Sequence, residues 1–411
     1  MKKEELLKAL NMDESIDLFD SVYDSALSEF NGSGVFYLNR GFVEDIQKKY
    51  HPFTEYYDFI LEMVDRVSKK PVLSLFSLIL HRMIEKNKAV NGKNISMPER
   101  TPFESSEDET DFEFTGFFAH LAFTHEMADF YLGRGLPVEY FTDTLHDMYE
   151  TAGIYAYSLT AGRLGFNNTT YFSWNQYYIY HKIVKIGVLN YEVGHPFPEL
   201  CVALRNQEGE YRLLAYNKGV TEKGYILGTL GDEKQAFFAD FEETETHFSG
   251  YLIDELNARI TREKVTLSKD EWQVAIRPGD EFLNVHIPRS GKISKENNDR
   301  SYKEAIRIHK LIFPEKDIKA IGCMSWLLSP DLCEMLPESS NILAFQKAYR
   351  KFPLTMKNYG KAVFSFLFPR KAERYEDLAE DTSLQRKVKA RYLDGGAVIE
   401  AAGLIFPDEI Q

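Results

Sequence analysis

The sequence is poor in everything that would staple a chain, anchor it in a membrane or charge it for a nucleic acid. Its 411 residues contain three cysteines, Cys201, Cys323 and Cys333. Three scattered thiols make neither a disulfide framework nor a zinc site, and they read as buried free thiols in a reducing compartment. Basic residues are outnumbered, with 49 Lys and Arg against 63 Asp and Glu and a formal charge of −14. Phosphate-binding surfaces need clustered Lys and Arg, so no nucleic-acid partner is expected. Long apolar runs are missing too. The longest, Val72 to Leu80, is interrupted by Ser74 and Ser77. It falls well short of the roughly 20 residues a bilayer span requires, so no membrane partner is expected. Met1 to Leu10 begins with two lysines but carries Glu4 and Glu5 where an export signal needs an apolar stretch. The cytoplasm is the expected location. G-x-S-x-G is absent, and His120 and His125 stand about 140° apart around a helix, so they share no face as zinc-binding pairs do. No metal is expected.

Core-forming material, by contrast, is plentiful. Hydrophobic residues make up 44% of the chain and include 30 Phe and 24 Tyr, which excludes wholesale disorder and leaves room for two or three domains. Apolar residues recur at spacings of three and four in Leu6–Leu18, Phe53–Val67, Val72–Ile84 and Phe114–Leu132, and again in Val138–Ala161 behind Pro137. These segments predict helices. The polar stretch Asn87–Asp111, with Pro98, Pro102 and the acidic run Glu104 to Glu109, predicts a surface loop.

The texture changes after Gly165. Lys185–Val193, Leu200–Arg205, Tyr211–Tyr216 and Trp272–Ile276 are short β-rich runs, with Asn206 to Glu210 a hairpin signal between the second and third. Phe282–Ile287 predicts a strand and Lys295–Phe313 an amphipathic helix, with Tyr302, Ala305, Ile306, His309 and Ile312 on its inner side. Pro314 stops that helix, and Ile318–Leu328 predicts a second strand. Strand, helix and strand at this spacing form a right-handed crossover with parallel strands. A helix over Ser340–Lys351, a strand over Lys361–Phe368 and a last helix after Ser383 complete the reading. The expected fold is α+β: a helical domain over residues 1–155, then a mixed β-sheet domain with flanking helices over 156–411.

The loop from His286 to Ser294 is the richest candidate site. It leaves the carboxyl end of a parallel strand and enters a helix, where free N–H groups favour phosphate. Arg289 and Lys292 add positive charge, Gly291 permits close approach or positive φ, and Ser294 can cap the helix. The plain alternative is an ordinary capped surface loop. It is not a Walker loop, because Ile293 stands after Lys292. Alternation puts Leu283, Val285 and Ile287 on one strand face and Phe282, Asn284 and His286 on the other. An imidazole at the strand end suits proton removal from an amine. Ser325 lies near the end of the second parallel strand on the same face as Cys323, and Tyr349 follows in the next helix.

These residues carry a resemblance. Arg163-Leu164-Gly165, Phe172-Ser173-Trp174, Lys185 to Glu192, Val285-His286-Ile287-Pro288, Cys323 to Pro330 and Ser340 to Gln346 resemble a bacterial family of two-domain acyltransferases, which joins a helical N-terminal domain to a GNAT-like C-terminal domain. The resemblance implies an acyl-coenzyme A donor, acetyl-coenzyme A or longer, lying where the two parallel strands splay. Its pyrophosphate would rest on Ile287, Arg289, Ser290, Gly291 and Lys292, with Asn341 at the pantetheine arm. A small-molecule or peptide amine would attack directly, with His286, Ser325 and Tyr349 as catalytic candidates. The helical domain would choose the acceptor. Two positions depart from the usual pattern: the glycine of Arg289-Ser290-Gly291-Lys292 comes early, and Ala348 stands where the usual tyrosine falls. They motivate an alternative, a non-catalytic module on a GNAT scaffold that senses acyl-coenzyme A or binds a protein. A covalent mechanism through Cys323 is a third reading.

Overall fold

Capping chemistry sets several helix starts in the first part of the chain. A computed structural model describes residues 1–231, 233–355, 362–368 and 372–410. Asn39 opens the helix Arg40–Tyr50 by accepting from the Phe42 N–H at 3.0 Å, and Pro71 occupies the first turn of Pro71–Ala89. Ser105 accepts from the Asp108 N–H and opens Ser106–Leu121, so Glu107, Asp108 and Glu109 form a first helical turn. This corrects the loop expected as far as Asp111. Negative side chains are favoured at the positive end of a helix dipole, and that preference outweighed the polar look of the stretch. The expected helix Leu6–Leu18 is also corrected. Lys3–Ala9 ends before Asn11, whose φ is 57°, and Asp17–Ser33 starts a second helix.

From Thr110 to Leu121 the Ser106–Leu121 helix is buried on every side, as expected of a helix at the centre of a bundle. Phe112 stacks on Phe76 with centroids 5.3 Å apart, and Phe114, Phe117 and Phe118 pack against one another. After Val138–His146 the backbone widens into a π-helix over Asp147–Tyr155, then resumes as Ala156–Ala161. By contact density the chain forms two compact units: Met1–Ile186 with Pro288–Gly291, and Gly187–Ile287 with Lys292–Gln411.

Among its described residues the second unit contains a two-stranded sheet, Lys218–Val220 paired with Phe237–Ala239, and two larger ones. One runs in the order Leu189–Glu192, Leu283–His286, Ile321–Ser325, Ala401–Ile405, Arg350–Pro353. Leu283–His286 and Ile321–Ser325 are parallel and joined by the helix Lys295–Ile312, as the crossover expectation required, and the other neighbouring pairs are antiparallel. The inner face of that helix includes Ile308 rather than the expected Ile306. The other sheet is inserted between the first two of these strands. It holds Trp272–Ile276, Cys201–Asn206, Tyr211–Ala215 and His247–Asp254, with Arg259–Ser268 paired along the last. The expected hairpin forms: Asn206 Oδ1 accepts from the Glu208 and Glu210 N–H groups, and Gly209 takes φ 86°.

The end of the chain differs from expectation. Ala362–Leu367 is a helix, not a strand, and Lys361 lies outside the described residues. The closing strand is Ala401–Ile405, every residue of it buried. Ser340–Lys351 was read as one helix, but the helix is Asn341–Gln346 and Arg350–Pro353 is a strand. Ser383–Leu393 is helical as expected, with Thr382 and Gln385 forming a reciprocal capping box.

Candidate functional site

The parallel ladder is short. It pairs Leu283 with Ile321, Asn284 with Gly322 and Val285 with Cys323. On their outer sides the same strands keep pairing further, His286 with Asn190 and Ser325 with Ala401. The two strand ends therefore part just beyond Val285 and Cys323, and this is where the resemblance places a donor. Close packing behind the sheet depends on two glycines. A Cβ on Gly322 would come within 2.7 Å of the Phe282 ring, and one on Gly403 within 2.7 Å of Tyr349 Cβ.

Pairing places Asn190, Glu192, Asn284 and His286 on one face of the sheet. The first three are buried and His286 is half-buried, so this is a polar island inside a packed unit. Glu192 is its centre. One carboxylate oxygen, Oε2, lies 2.9 Å from His286 Nε2 and accepts from Asn284 Nδ2 at 3.0 Å. The other, Oε1, lies 3.3 Å from His195 Nδ1. Burial pushes the Glu192 carboxyl up, but the hydrogen bonds of His195, His286 and Asn284 and the charge of His286 outweigh it. They hold the group well below the usual carboxylate range. A buried glutamate held ionised beside an imidazole orients the ring, the relation a general base needs from its neighbour.

The other candidates stand as follows. Ser325 accepts from the Leu327 N–H at 3.1 Å and caps the short turn Trp326–Leu328. Gln346 Nε2 donates to the Leu327 and Ser329 carbonyls, which fixes the same turn. Asn341 is exposed at the start of its helix, behind the Ser340 cap. Ile287 is half-buried, while Arg289, Ser290 and Lys292 are exposed. Gly291 donates its N–H to the Pro288 carbonyl at 2.9 Å and is not among the positive-φ glycines, so of the two uses expected of it positive φ is not the one realised. Ser294 does cap the following helix, accepting from the Asn297 N–H. Tyr349 is 5% exposed; its phenol accepts from Tyr302 at 3.1 Å, and burial pushes it well above the usual range. Cys323 is buried and its thiol is likewise raised by burial, which disfavours the thiolate a covalent mechanism needs. Cys333 is exposed rather than buried.

Sequence reasoning missed Glu192, His195 and Asn284. The spacing Glu192-x-x-His195 and the alternation Asn284-x-His286 were the available signals, but only sheet pairing joins them. Among the described residues no group of three or more His, Cys, Asp or Glu is arranged to hold a metal ion, and no helix is long and apolar enough to cross a membrane.

A parting pair of parallel strands is what the resemblance anticipated, and the polar island beside it is what the structure adds. A family model described as the GNAT-like C-terminal domain matches residues 162–405. The chain belongs to that family. Curated proteins yield no match. Among solved structures, a mutant acyltransferase in complex with octanoyl-CoA is similar to this GNAT-like chain at 15% identity and TM-score 0.62, covering 99% of each chain. An acyltransferase in complex with decanoyl-CoA and teicoplanin is similar at 16% identity and TM-score 0.62, again over 99% of each chain. At these identities the likeness carries the fold, and it extends over the helical region as well as the GNAT-like domain.

Proposed function

We propose that the protein is an N-acyltransferase that moves an acyl group from acyl-coenzyme A to an amine by direct attack. The observation that carries this reading is the Glu192–His286 pair, set at the end of a strand where the parallel ladder stops. The amine nitrogen attacks the thioester carbonyl and gives its proton to His286, whose imidazolium is stabilised by Glu192. The carbon–sulfur bond then breaks, and the coenzyme A thiolate leaves and takes up the proton that His286 gives back, which restores the neutral imidazole. Main-chain N–H groups where the strands part are suited to hold the oxyanion. Ser325 positions the Trp326–Leu328 turn. Tyr349, buried against Tyr302, is assigned to packing, because a phenol raised by burial is a weak proton donor. The phosphates of the donor fall to Ile287, Arg289, Ser290, Gly291 and Lys292, and its pantetheine arm to Asn341. Residues 156–411 carry this chemistry and the helical residues 1–155 select the acceptor.

The solved relatives hold octanoyl- and decanoyl-CoA, so medium-chain donors come first in a screen, ahead of acetyl-coenzyme A. A teicoplanin complex among them makes a glycopeptide amine the first acceptor class to try. The three cysteines are unpaired, which fits a reducing compartment such as the cytoplasm. The test is thiol release from octanoyl-CoA with an amine panel. General base catalysis is worth about 10²–10⁴-fold, so His286→Ala should lose turnover by that order while still binding donor. Donor binding by the unaltered protein without turnover on any amine would favour the sensing module instead.

A further inference from the structure

The first unit contains a buried ammonium whose surroundings leave it underused. Lys185 is 9% exposed. Its own N–H donates to Thr144 Oγ1 at 3.0 Å, which fixes where the side chain starts. At the other end, Nζ lies 3.4 Å from Ser290 Oγ and 3.7 Å from Asp147 Oδ1. Charge-assisted hydrogen bonds run at about 2.7–2.9 Å, so Asp147 balances the charge without taking the donors at bonding distance. A buried ammonium with loosely held donors is costly unless something else ligates it. Asp147 is itself held: it is 1% exposed, accepts from Tyr178 at 3.2 Å and is approached by Ser290 Oγ at 3.4 Å. It opens the π-helix Asp147–Tyr155, and such widened turns recur at functional sites.

The Lys185 ammonium is thus aimed at the four-residue turn Pro288–Gly291, closed by the Gly291–Pro288 hydrogen bond and carrying the exposed Arg289. A buried cation, an exposed cation and a hydroxyl converge on one turn, a combination that fits a phosphate oxygen. We propose that Lys185, positioned by Asp147, is a further ligand for the phosphates of the donor and acts on donor affinity rather than on the acyl-transfer step. The proposal rests on the acyl-coenzyme A reading above.

The experiment compares octanoyl-CoA with octanoyl-pantetheine, which has the same thioester and no phosphate. In the unaltered protein the coenzyme A form should bind far more tightly. Lys185→Met should raise the KM for octanoyl-CoA at least tenfold, leave its kcat within about twofold, and leave octanoyl-pantetheine unaffected. Lys185→Arg should restore most of the preference. A Lys185→Met protein that keeps the full preference overturns the proposal and leaves the acyl-coenzyme A reading intact. An unaltered protein that binds neither thioester overturns that reading itself. Should Lys185→Met not fold, lysine ¹³Cε resonances decide the matter in the unaltered protein. The Lys185 signal, identified by its loss in Lys185→Arg, should shift on adding inorganic pyrophosphate, and a signal that stays put overturns the assignment.

Discussion

Two of the buried glutamates, Glu113 in the first unit and Glu192 in the second, show how the same side chain serves different ends. Glu113 is 5% exposed and Glu192 3%. Arg163 donates to both oxygens of Glu113, at 2.7 and 2.9 Å, and Tyr157 donates to one of them. Gly165 passes so near that a Cβ there would fall 2.2 Å from Glu113 Oε2. The guanidinium never titrates, so this assembly is a fixed clamp on the turn after Ala161. Burial nevertheless leaves the Glu113 carboxyl raised. Among the described residues no Lys or Arg pairs with Glu192. Its partners are two imidazoles and an amide, whose hydrogen bonds, with the charge of His286, hold it low. A buried carboxylate facing a guanidinium holds structure, whereas one facing imidazoles is equipped to manage a proton.

Substitutions can sharpen or break that contrast. The largest effect belongs to His286→Ala, with the loss of turnover given above and a melting midpoint within a few degrees of the parent. Arg163→Met should do the reverse. It strands a buried charge, and breaking such a pair costs about 3–5 kcal/mol, discounted here because Arg163 is partly exposed. The midpoint should fall by several degrees, with KM for the donor unchanged. A loss of activity without a loss of stability in Arg163→Met would erase the distinction.

Glu192→Gln is the intermediate case. The folded carboxyl is depressed below its unfolded value, which is about 4.3, so its contribution to stability is present above that pH and is lost as pH falls through the folded value. Denaturant melts at pH 7 and in the acid range should show a steep acid loss in the parent and a shallower one in Glu192→Gln. Its kcat should fall about tenfold through loss of imidazole orientation. An unchanged acid profile would mean that Glu192 is not the ionised partner of His286. The smallest effect is expected of Tyr349→Phe, which removes one phenol–phenol hydrogen bond worth about 1 kcal/mol. Thiol release should stay within twofold, and a collapse of kcat would return Tyr349 to the site.

Legibility in the sequence followed local rules. The crossover around Lys295–Ile312 was readable because an amphipathic helix between two apolar runs has few alternatives. The longest pair of strands, His247–Asp254 and Arg259–Ser268, was not read, because Arg262, Glu263 and Lys264 are exposed and break the apolar signal on a solvated strand. Ala362–Leu367 misled in the other direction. Val363-Phe364-Ser365-Phe366-Leu367 has strand-like composition, yet these residues are helical and Val363 packs in a cluster with Leu332, Val388 and Tyr392, where tertiary packing overrides β preference. Asn206 to Glu210, a turn decided by neighbours, came out as read.

The sequence by itself determined the mixed class, the helical beginning, the parallel crossover and the placing of His286 at a strand end. Each of these is built from single segments in which periodicity, caps and stops act directly. Only the tertiary structure decided what His286 faces. Glu192 lies on a different strand, and Asn284 and His286 reach its carboxylate only across an antiparallel register, while His195 joins them from three residues further along the chain. Register between distant strands is settled by packing of the whole sheet, so a charge network built on it has no signature in any one stretch of chain.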